Sequence, residues 1–458
     1  MACDVLVIDT QSPLRAEKGL ISPLPYAAQL TGFLEQEEIS FEIIFPVPQD
    51  DGTVGVLQGS TIVQGGFEAV LLDNDPKVVL FLHDTELIHY MLAVLQAARE
   101  TLPKAFFCVA SGPASAQPEY FFGQGIDFVC GRKGPDVFYS FPSLVQEIKK
   151  NGGPPRGTLY AVDHHYKDLN AFPLISKRYF KNVTPQWFFP TGDTEKFGIV
   201  LGSLGCTSGC AHCPNSSYWG SQWIPMSAGR IFSEIKAQRE EFGFKTFYFG
   251  DINFFPATAT KGEIDGVHPY AAERMKQLDL LLTANAPDTR FISTVRPDVL
   301  CTLKNNSPAL LDNFLKYYFA CFLGFESFSP DVLAGLDRGI TKNMLRTAIR
   351  VLEERNITIV ASFLVGSEWE TSETLSQTLA FIMEELPPSS IPLLNIMTPF
   401  PGTKFYGRLH AQGLIPEKNP ALFNGQHMLF KHPVFQQGEI EEKIKDFYYS
   451  YFTERYTG

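Results

Sequence analysis

The 458-residue sequence predicts an α/β protein with two parallel sheets in succession: a doubly wound N-terminal domain, a partial (β/α)6 barrel, and a short C-terminal helical extension. Two observations support this. Short, continuously apolar runs alternate with helical stretches at first, as in a parallel sheet buried on both faces. From residue 196 the alternation becomes a regular strand–helix repeat. We place the domain at 1–150, a linker at 151–195, the barrel at 196–406 and the extension at 407–458.

The N-terminal domain is predicted from six strand-like runs. These runs are 3–9, 39–45, 69–73, 78–84, 104–112 and 126–131. Helices are predicted at 25–36 and 85–100. The alternation is that of an open, Rossmann-like sheet, and such sheets bind ligands beyond the carboxyl ends of their strands. The sequence NGGPPRG at 151–157 breaks the pattern and begins the linker.

The barrel is predicted from six further strands. They are 197–205, 244–255, 290–298, 318–329, 357–370 and 391–406. Ser227 is a suitable N-cap, and Gly243 a suitable stop, for the helix after the first strand. The helix after the fourth strand places five apolar residues on one face: Met344, Leu345, Ala348, Val351 and Leu352. A C-terminal helix is predicted to close the barrel with another such face: Ile440, Ile444, Phe447 and Tyr451.

Three of the eight cysteines lie on the loop that follows the first barrel strand. Cys206, Cys210 and Cys213 have the spacing CxxxCxxC within GIVLGSLGCTSGCAHCPNS. A 4Fe–4S cluster takes four ligands, usually cysteines. Three leave one iron open, and an open coordination position is typical of reactive metal sites. A zinc knuckle that uses the CxxC pair, with His212 inside it, is the alternative. A disulfide is less favoured because nothing indicates secretion.

Composition narrows the possible functions. The formal net charge is −12 and no basic stripe is present, which argues against a nucleic-acid partner. No run of 18 apolar residues predicts a membrane span. The N-terminus lacks the basic region and cleavage site of a signal peptide, so we expect a cytoplasmic protein.

The cysteine loop resembles the signature of radical S-adenosylmethionine (SAM) enzymes. The resemblance implies that Cys206, Cys210 and Cys213 bind a 4Fe–4S cluster whose open iron holds SAM. An electron from the cluster then splits SAM to a 5′-deoxyadenosyl radical, which implies a reducing partner such as flavodoxin or ferredoxin. His212 occupies a position that is usually aromatic in this family and that lies near the adenine of SAM.

The later barrel strands end in motifs similar to those of the same family. In FYFGD, Gly250 leaves room for SAM and Asp251 offers a carboxylate to its amino group. Arg296, in STVRPD, suits the SAM carboxylate as a fork-shaped donor. The resemblance implies that Glu326, in LGFES, binds a ribose hydroxyl or the amino group. Gly366, in SFLVGSEWET, would let the adenine approach the backbone. A solvated strand-end charge is the alternative for each acid or base taken alone.

The N-terminal domain resembles the cobalamin-binding domain that precedes many radical SAM barrels. Ser111, Gly112 and Pro113 would lie near the nucleotide tail of cobalamin, where small residues permit close approach. The DxHxxG motif that ligates cobalt from below is absent after Asp9. We therefore expect cobalamin without a histidine lower ligand. The alternative is a domain that has lost cobalamin and serves as a scaffold.

The resemblance covers about residues 3–435 and implies a cobalamin-dependent C-methyltransferase of the class B or anaerobic cyclase-like type. Its substrate would be a small biosynthetic intermediate held between the two domains. A radical SAM hydroxylase, cyclase or rearrangement enzyme with a degenerate N-terminal domain is one alternative. A non-catalytic iron–sulfur electron carrier or sensor is another. The segment FNGQHMLF (423–430) resembles one that follows the barrel in relatives, and it leaves His427 either packed or facing the substrate.

Overall fold

The architecture of the chain is seen in a computed structural model. It describes residues 3–9, 25–48, 53–58, 61–63, 66–82, 88–132, 136–163, 168–181, 186–188, 194–260, 263–336, 338–417 and 419–456. Within these ranges, no helix has the length and apolar character needed to cross a bilayer. The loop after Asp9, His83 and the pair His164–His165 lie outside the described residues.

The N-terminal domain is built on a parallel sheet of six strands in the order β2-β1-β6-β7-β8-β9. Its strands, with a small antiparallel sheet of β3, β4 and β5 beside it, are β1 (Val5–Asp9), β2 (Phe41–Ile44), β3 (Pro46–Pro48), β4 (Val54–Gln58), β5 (Thr61–Val63), β6 (Val78–Leu82), β7 (Phe106–Ala110), β8 (Phe128–Cys130) and β9 (Thr158–Tyr160). The helices are α1 (Pro25–Gln36), α2 (Phe67–Asn74), α3 (Ile88–Thr101), α4 (Gly112–Ala116), α5 (Pro118–Gly123) and α6 (Val137–Asn151). The central strands β1 and β6 are buried at every position, which explains their continuous apolar sequences.

Two sequence assignments change in this domain. The run at 69–73, predicted as a strand, belongs to helix α2, and Leu72 within it is 62% exposed. Short apolar runs do not distinguish a strand from a helix by periodicity alone. The sixth strand of the sheet comes instead from the segment predicted as linker, where β9 pairs with β8 in parallel. The remaining domain boundaries stay predictions.

The second domain is a partial (β/α)6 barrel, as predicted. Its strands are β10 (Gln186–Phe188), β11 (Thr194–Val200), β12 (Ser203–Leu204), β13 (Ile224–Pro225), β14 (Thr246–Phe249), β15 (Ala257–Thr260), β16 (Glu263–Val267), β17 (Arg290–Val295), β18 (Tyr318–Glu326), β19 (Thr358–Val365) and β20 (Ile391–Ile396). Six of them, β11-β14-β17-β18-β19-β20, form the parallel sheet, and β10 pairs antiparallel with β11 at one edge. The pairs β12–β13 and β15–β16 are separate antiparallel ribbons.

The helices of this second half surround the barrel sheet. They are α7 (Arg178–Lys181), α8 (Asn215–Trp219), α9 (Ala228–Phe242), α10 (Pro269–Asn285), α11 (Pro297–Asn306), α12 (Pro308–Leu315), α13 (Pro330–Gly335), α14 (Lys342–Glu353), α15 (Ser372–Glu384), α16 (Lys404–Ala411) and α17 (Glu439–Tyr456), with short 3₁₀ turns at Leu169–Ala171 and Pro420–Leu422. Ser227 caps α9 by accepting the Arg230 amide, and Gly243 ends it with φ 72°. Both predicted helix signals are thus confirmed.

Helix α17 covers the free edge of β20. The Tyr448 hydroxyl accepts the Leu394 amide at 2.9 Å and donates to the Pro392 carbonyl at 3.2 Å. Ile440 and Tyr451, eleven residues apart on helix α17 and therefore on one face of it, are both buried. An exposed strand edge would leave these backbone groups to solvent or to another chain. The predicted closure of the barrel by this helix is therefore confirmed.

The carboxyl ends of the two parallel sheets face each other. Helix α1, which follows β1 along the chain, begins at Pro25, and a Cβ added to Gly250 after β14 would lie 2.1 Å from the Pro25 Cγ. Helix α4, which follows β7, begins at Gly112, and a Cβ there would lie 2.2 Å from Cδ2 of Tyr218. The edges at which both kinds of sheet bind ligands therefore meet.

Candidate active site

The three loop cysteines lie beyond the carboxyl end of β11, between β12 and α8. Each is half-buried, and none is in a disulfide. The Cys206 amide donates to the Gly220 carbonyl at 3.2 Å and the Cys213 amide to the Cys210 carbonyl at 3.3 Å, so the loop folds back on itself. Burial raises the pKa of the Cys213 thiol to about 11. That thiol would lose its proton only on binding metal, which deprotonates a coordinating thiol.

The three loop cysteines could bind a single metal ion or an iron–sulfur cluster, and the two kinds of site need different spacings of the ligands. In the part of the chain that the structure describes, no three His, Cys, Asp or Glu side chains are close enough to share one metal ion. Zinc needs all its ligands within about 2.0–2.3 Å of one centre. The ligands of a 4Fe–4S cluster bind different irons and stand farther apart. The Asn253 amide nitrogen lies 3.9 Å from the Cys206 sulfur. Hydrogen bonds to the sulfurs of a cluster help to set its reduction potential.

A buried acid and a buried arginine hold the backbone just before the cysteine loop. Asp251 accepts the Gly202 amide at 2.8 Å and the Ser203 hydroxyl. From the other side, Arg274 donates to the Gly202 carbonyl at 3.0 Å and to the Phe254 carbonyl. We call this arrangement of Asp251, Arg274 and Gly202 the Gly202 clamp. Burial raises the pKa of Asp251 to about 6.

The Gly202 clamp bears on two predicted SAM contacts. Both carboxylate oxygens of Asp251 are bonded within the clamp, and the residue is 2% exposed. A contact with the SAM amino group stays a prediction that this geometry does not favour. The Pro25 ring of the N-terminal domain packs against Gly250, where any side chain would overlap that ring. Its predicted role of leaving room for SAM is likewise not the role that these contacts show.

Arg296 lies beside the cysteine loop at the end of β17. Its Nε and Nη2 atoms donate to the Asp298 carboxylate, and Nη1 lies 3.3 Å from the Ser208 hydroxyl on the loop itself. Asp298 is 1% exposed, so the ion pair is held in one orientation. The thiols of Cys206 and Cys210 are near enough to act on the pKa of Arg296, which they raise. Arg296 thus lies beside the cysteine loop, and its contact with the SAM carboxylate stays a prediction.

Arg338 is a second arginine at the cluster site. It forms an ion pair with Glu326, and both side chains are about nine-tenths buried. Its Nε atom has no hydrogen-bond partner among the described residues. Burial lowers the pKa of Arg338, while Cys210 and Cys213 act to raise it. Burial lowers the pKa of His212 to about 4, and Arg338 acts in the same direction, so this imidazole is neutral near pH 7.

Glu326 ends β18 in a left-handed conformation. Its φ is 63°, an uncommon value for a residue with a side chain. Strained backbone of this kind occurs at functional sites when the surrounding structure enforces it. Its predicted contact with SAM competes with the ion pair to Arg338.

The end of β19 contains a buried polar cluster. Gly366 has φ 75°, and its amide donates to the Glu370 carboxylate at 2.8 Å. The other Glu370 oxygen has no partner among the described residues. The His432 Nδ1 atom accepts two backbone amides, so Nε2 carries the hydrogen that it donates to the Ser367 carbonyl at 2.6 Å. Beside Gly366 lies Ile440 of helix α17, 3.6 Å from where a Cβ would be. The predicted approach of adenine to Gly366 stays a prediction.

The predicted cobalamin segment at the end of β7 forms a domain contact. Ser111 caps helix α4 by accepting the Ala114 amide at 3.2 Å, and Pro113 is buried in its first turn. The open face of Gly112 is filled by the ring of Tyr218. A nucleotide tail therefore has no free space against Gly112 itself.

Two histidines, one from each half of the chain, lie near each other: His89 and His427. His89 is near the start of α3 and His427 follows the barrel. Burial lowers the pKa of His89, and the nearby His427 acts in the same direction. His427 is half-buried, and Asn424 before it is buried with its side-chain oxygen on the Gln426 amide at 3.0 Å. His427 thus lies near His89 of the N-terminal domain, and its approach to the substrate stays a prediction.

Three residues of this site were not foreseen from the sequence. Arg274 lies within helix α10, Arg338 in the loop LDRGI, and Tyr218 five residues after the third cysteine. The available signal for Arg338 was a charged residue in the short loop between α13 and α14. The sequence alone carries no signal that places Arg274 or Tyr218 against its partners, because these contacts join distant parts of the chain.

A parallel barrel with three cysteines on its first loop and arginines beside them defines an iron–sulfur enzyme scaffold. Residues 200–382 match the Radical SAM superfamily, and the chain therefore carries a radical SAM domain. The predicted resemblance to radical SAM enzymes is confirmed, and the binding of the cluster by Cys206, Cys210 and Cys213 stays a prediction. The superfamily implies a 4Fe–4S cluster and SAM as cofactors.

Relatives extend the similarity over the whole chain. An uncharacterized methyltransferase of Pyrococcus horikoshii is 22% identical over 460 residues, which cover 97% of this chain and 90% of that protein. The cobalamin-dependent SAM radical enzyme OxsB, with aqua-cobalamin and SAM bound, superposes with a TM-score of 0.64 at 14% identity, covering 98% of this chain and 67% of that one. The methyltransferase TsrM of Kitasatospora setae, with cobalamin and a 4Fe–4S cluster bound, gives 0.63 at 15% identity, covering 92% and 80%. The predicted fold class is thus confirmed.

Proposed function

We propose that the protein is a cobalamin-dependent radical SAM methyltransferase that methylates a carbon of a small biosynthetic intermediate. One observation carries the proposal: the carboxyl edges of both parallel sheets face each other, with the cysteine loop where they meet. Each edge is the one at which its class of sheet binds ligands. A substrate held between the domains would reach both ligand sites.

The cysteine loop fits the cluster that this function needs. Cys206, Cys210 and Cys213 would bind three irons and leave the fourth open to SAM. When bound, the cluster supplies the electron, taken from a reductant such as flavodoxin or ferredoxin, that cleaves SAM to the 5′-deoxyadenosyl radical. The Gly202 clamp keeps the start of this loop in place during that step.

The two arginines would hold the acidic end of SAM. Arg338 is buried and keeps an unpaired Nε donor, so a carboxylate there gains a charge-assisted hydrogen bond in a poorly solvated site. Arg296 is oriented by Asp298 and points its remaining nitrogen to the same loop. Neutral His212 can stack on the adenine without adding a third positive charge.

Cobalamin would occupy the gap in front of the barrel. When bound, it supplies the methyl group that passes to the substrate carbon. Support comes from OxsB and TsrM, whose fold this chain shares and which hold cobalamin, and from the methyltransferase names of TsrM and the Pyrococcus relative. The loop after Asp9 offers no DxHxxG histidine below the cobalt.

A second function is favoured by one observation. Tyr218 fills the face of Gly112 where the nucleotide tail of cobalamin was expected. A domain without cobalamin would serve as a scaffold, and the enzyme would then be a radical SAM hydroxylase, cyclase or rearrangement enzyme.

The first test concerns the cluster. After anaerobic purification and reconstitution, the wild-type protein with SAM and dithionite should release 5′-deoxyadenosine. Cys206→Ala should release none. Cys3→Ala is the matched control, because Cys3 is a buried thiol that precedes β1 of the N-terminal sheet. If Cys206→Ala still cleaves SAM, the central assignment is wrong.

The second test separates the two functions. Protein produced with cobalamin should show a corrin absorption band, and label from methyl-labelled SAM should appear on the bound corrin. A wild-type protein that cleaves SAM but binds no corrin would exclude cobalamin-dependent methyl transfer and support the scaffold alternative.

A further inference from the structure

The structure assigns a positioning role to Tyr218 on helix α8. We propose that this side chain fixes the N-terminal domain against the cysteine loop, and so sets the distance between the cluster and the ligand of the N-terminal domain. Only the use of that distance in methyl transfer rests on the proposed function. The contact itself is independent of cobalamin.

On one side, Tyr218 packs against the N-terminal domain with no space to spare. A single methyl group on Gly112 would lie 2.2 Å from ring atom Cδ2 and 2.3 Å from Cγ, closer than atoms pack. Helix α4, which carries Gly112, is itself held, because the Ser115 hydroxyl donates to the Gly131 carbonyl at 2.7 Å beyond β8. The ring therefore meets a fixed part of the first sheet.

On the other side, helix α8 is hydrogen-bonded to the loop that follows β20, the last strand of the barrel. The Tyr218 hydroxyl donates to the Pro401 carbonyl at 3.0 Å, and the neighbouring Ser217 hydroxyl donates to the Gly402 carbonyl at 2.9 Å. Tyr218 is 7% exposed, so its ring is held on several sides. Trp219, the next residue, contacts Tyr26 of helix α1 with ring centroids 5.0 Å apart.

These contacts connect the two ligand edges through one short helix. Tyr218 follows Cys213 by five residues, so a shift of α8 moves the end of the cysteine loop with it. Reactions between separately bound groups depend on placement, and a misplacement of about 1 Å can lower a rate about 100-fold. A tyrosine ring with both ends fixed can hold such a placement, because packed groups shift in discrete steps.

The contact can be tested by hydrogen exchange on the protein as purified. Tyr218→Ala and Gly112→Ala should each speed amide exchange in 111–117 and 214–220 by about tenfold or more, because local protection depends on packing. Tyr218→Phe keeps the ring and should stay near the wild-type rate. Gly229→Ala is the control, since a Cβ at Gly229 meets nothing within 4 Å.

A double variant sharpens this measurement. In the Tyr218→Ala background the ring is gone, so Gly112→Ala should add almost nothing to the exchange rate. Such non-additivity is expected of residues in direct contact. Unchanged exchange in Tyr218→Ala, or additive effects in the double variant, would overturn the proposed contact.

The functional role is tested by separating two activities. Tyr218→Ala should lower the transfer of the labelled methyl group from SAM to bound cobalamin about tenfold more than it lowers SAM cleavage to 5′-deoxyadenosine. Tyr218→Phe should restore this transfer. Equal losses of both activities would show that Tyr218 only stabilises the cysteine loop, and would overturn the positioning role. A wild-type protein without corrin would refute the proposed function, and the exchange experiment would then decide the inference alone.

Discussion

Replacing Glu370 with glutamine is expected to make the stability of the barrel less dependent on pH. Glu370 follows β19 and is 1% exposed. One carboxylate oxygen accepts the Gly366 amide at 2.8 Å, and the other has no partner in the described protein. Burial raises the pKa of this carboxyl group from 4.5 to about 7. The folded protein therefore holds a proton on Glu370 at pH values where the unfolded chain has lost it.

The sign and the size of the effect follow from that difference. Between pH 4.5 and about 7 the folded state binds more protons than the unfolded state, so stability falls as the pH rises through this window. Each pKa unit corresponds to 1.36 kcal/mol, which gives a loss of about 3 kcal/mol by pH 8. Glutamine does not titrate, and the variant lacks this loss. Other groups titrate in both proteins and cancel in the comparison.

The assay compares thermal unfolding of Glu370→Gln and wild type at about pH 5 and about pH 8. Part of the loss is already present at pH 5, which leaves about 2.5 kcal/mol between the two pH values. For a domain of the barrel's size, 1 kcal/mol moves Tm by about 2–4 °C, so the variant should gain about 5–10 °C on wild type between them. Glu373→Gln, an exposed position three residues later, is the control and should show no such gain. A Tm difference that is the same at both pH values within about 2 °C would refute the reasoning.

Three further outcomes follow from the site. Arg338→Met should raise the KM for SAM about tenfold or more while the iron content stays unchanged, because a charge-assisted hydrogen bond is lost; an unchanged KM would exclude this residue from SAM binding. Arg274→Met should destabilise the barrel by roughly 3–5 kcal/mol, because the buried Asp251 loses its positive partner; a Tm within about 2 °C of wild type would contradict this. Gly250→Ala should loosen the domain contact with Pro25, seen as faster proteolysis within 151–195, whereas Gly229→Ala should be cleaved at the wild-type rate.

Local signals carried the prediction of the fold further than that of the site. Ser227 and Gly243 could be identified as helix ends because capping depends on a few neighbouring residues. The run at 69–73 was misassigned because its four consecutive apolar residues suit either a strand or a helix. The run forms part of a helix with one face in solvent, where Leu72 is exposed. Strand β9 was missed because a three-residue edge strand in a breaker-rich segment has little periodicity.

The cysteines were identifiable because their chemistry and spacing lie within eight residues of chain. Their supports were not, because each joins segments far apart in sequence: Gly202 to Arg274, and Gly112 to Tyr218. The roles expected for Gly250 and Gly112 illustrate the limit. The sequence correctly marks both as places of close approach, yet the approaching group is another part of the same chain. Small residues show where something comes near and do not show what it is.

Two buried acids lie at the carboxyl edge of the barrel. Asp251 and Glu370 both lie just past the carboxyl ends of barrel strands, and burial raises the pKa of each, to about 6 and about 7. At neutral pH both carboxylates therefore lower the stability of the fold. A stability-optimised edge would have neutral or apolar groups at these positions. Departures from local stability rules concentrate at functional sites, and here both hold backbone: Asp251 fixes Gly202 before the cysteine loop, and Glu370 fixes the turn at Gly366. The barrel thus maintains a defined backbone geometry at its carboxyl edge at the expense of stability, which is expected where a cofactor must be held in one orientation.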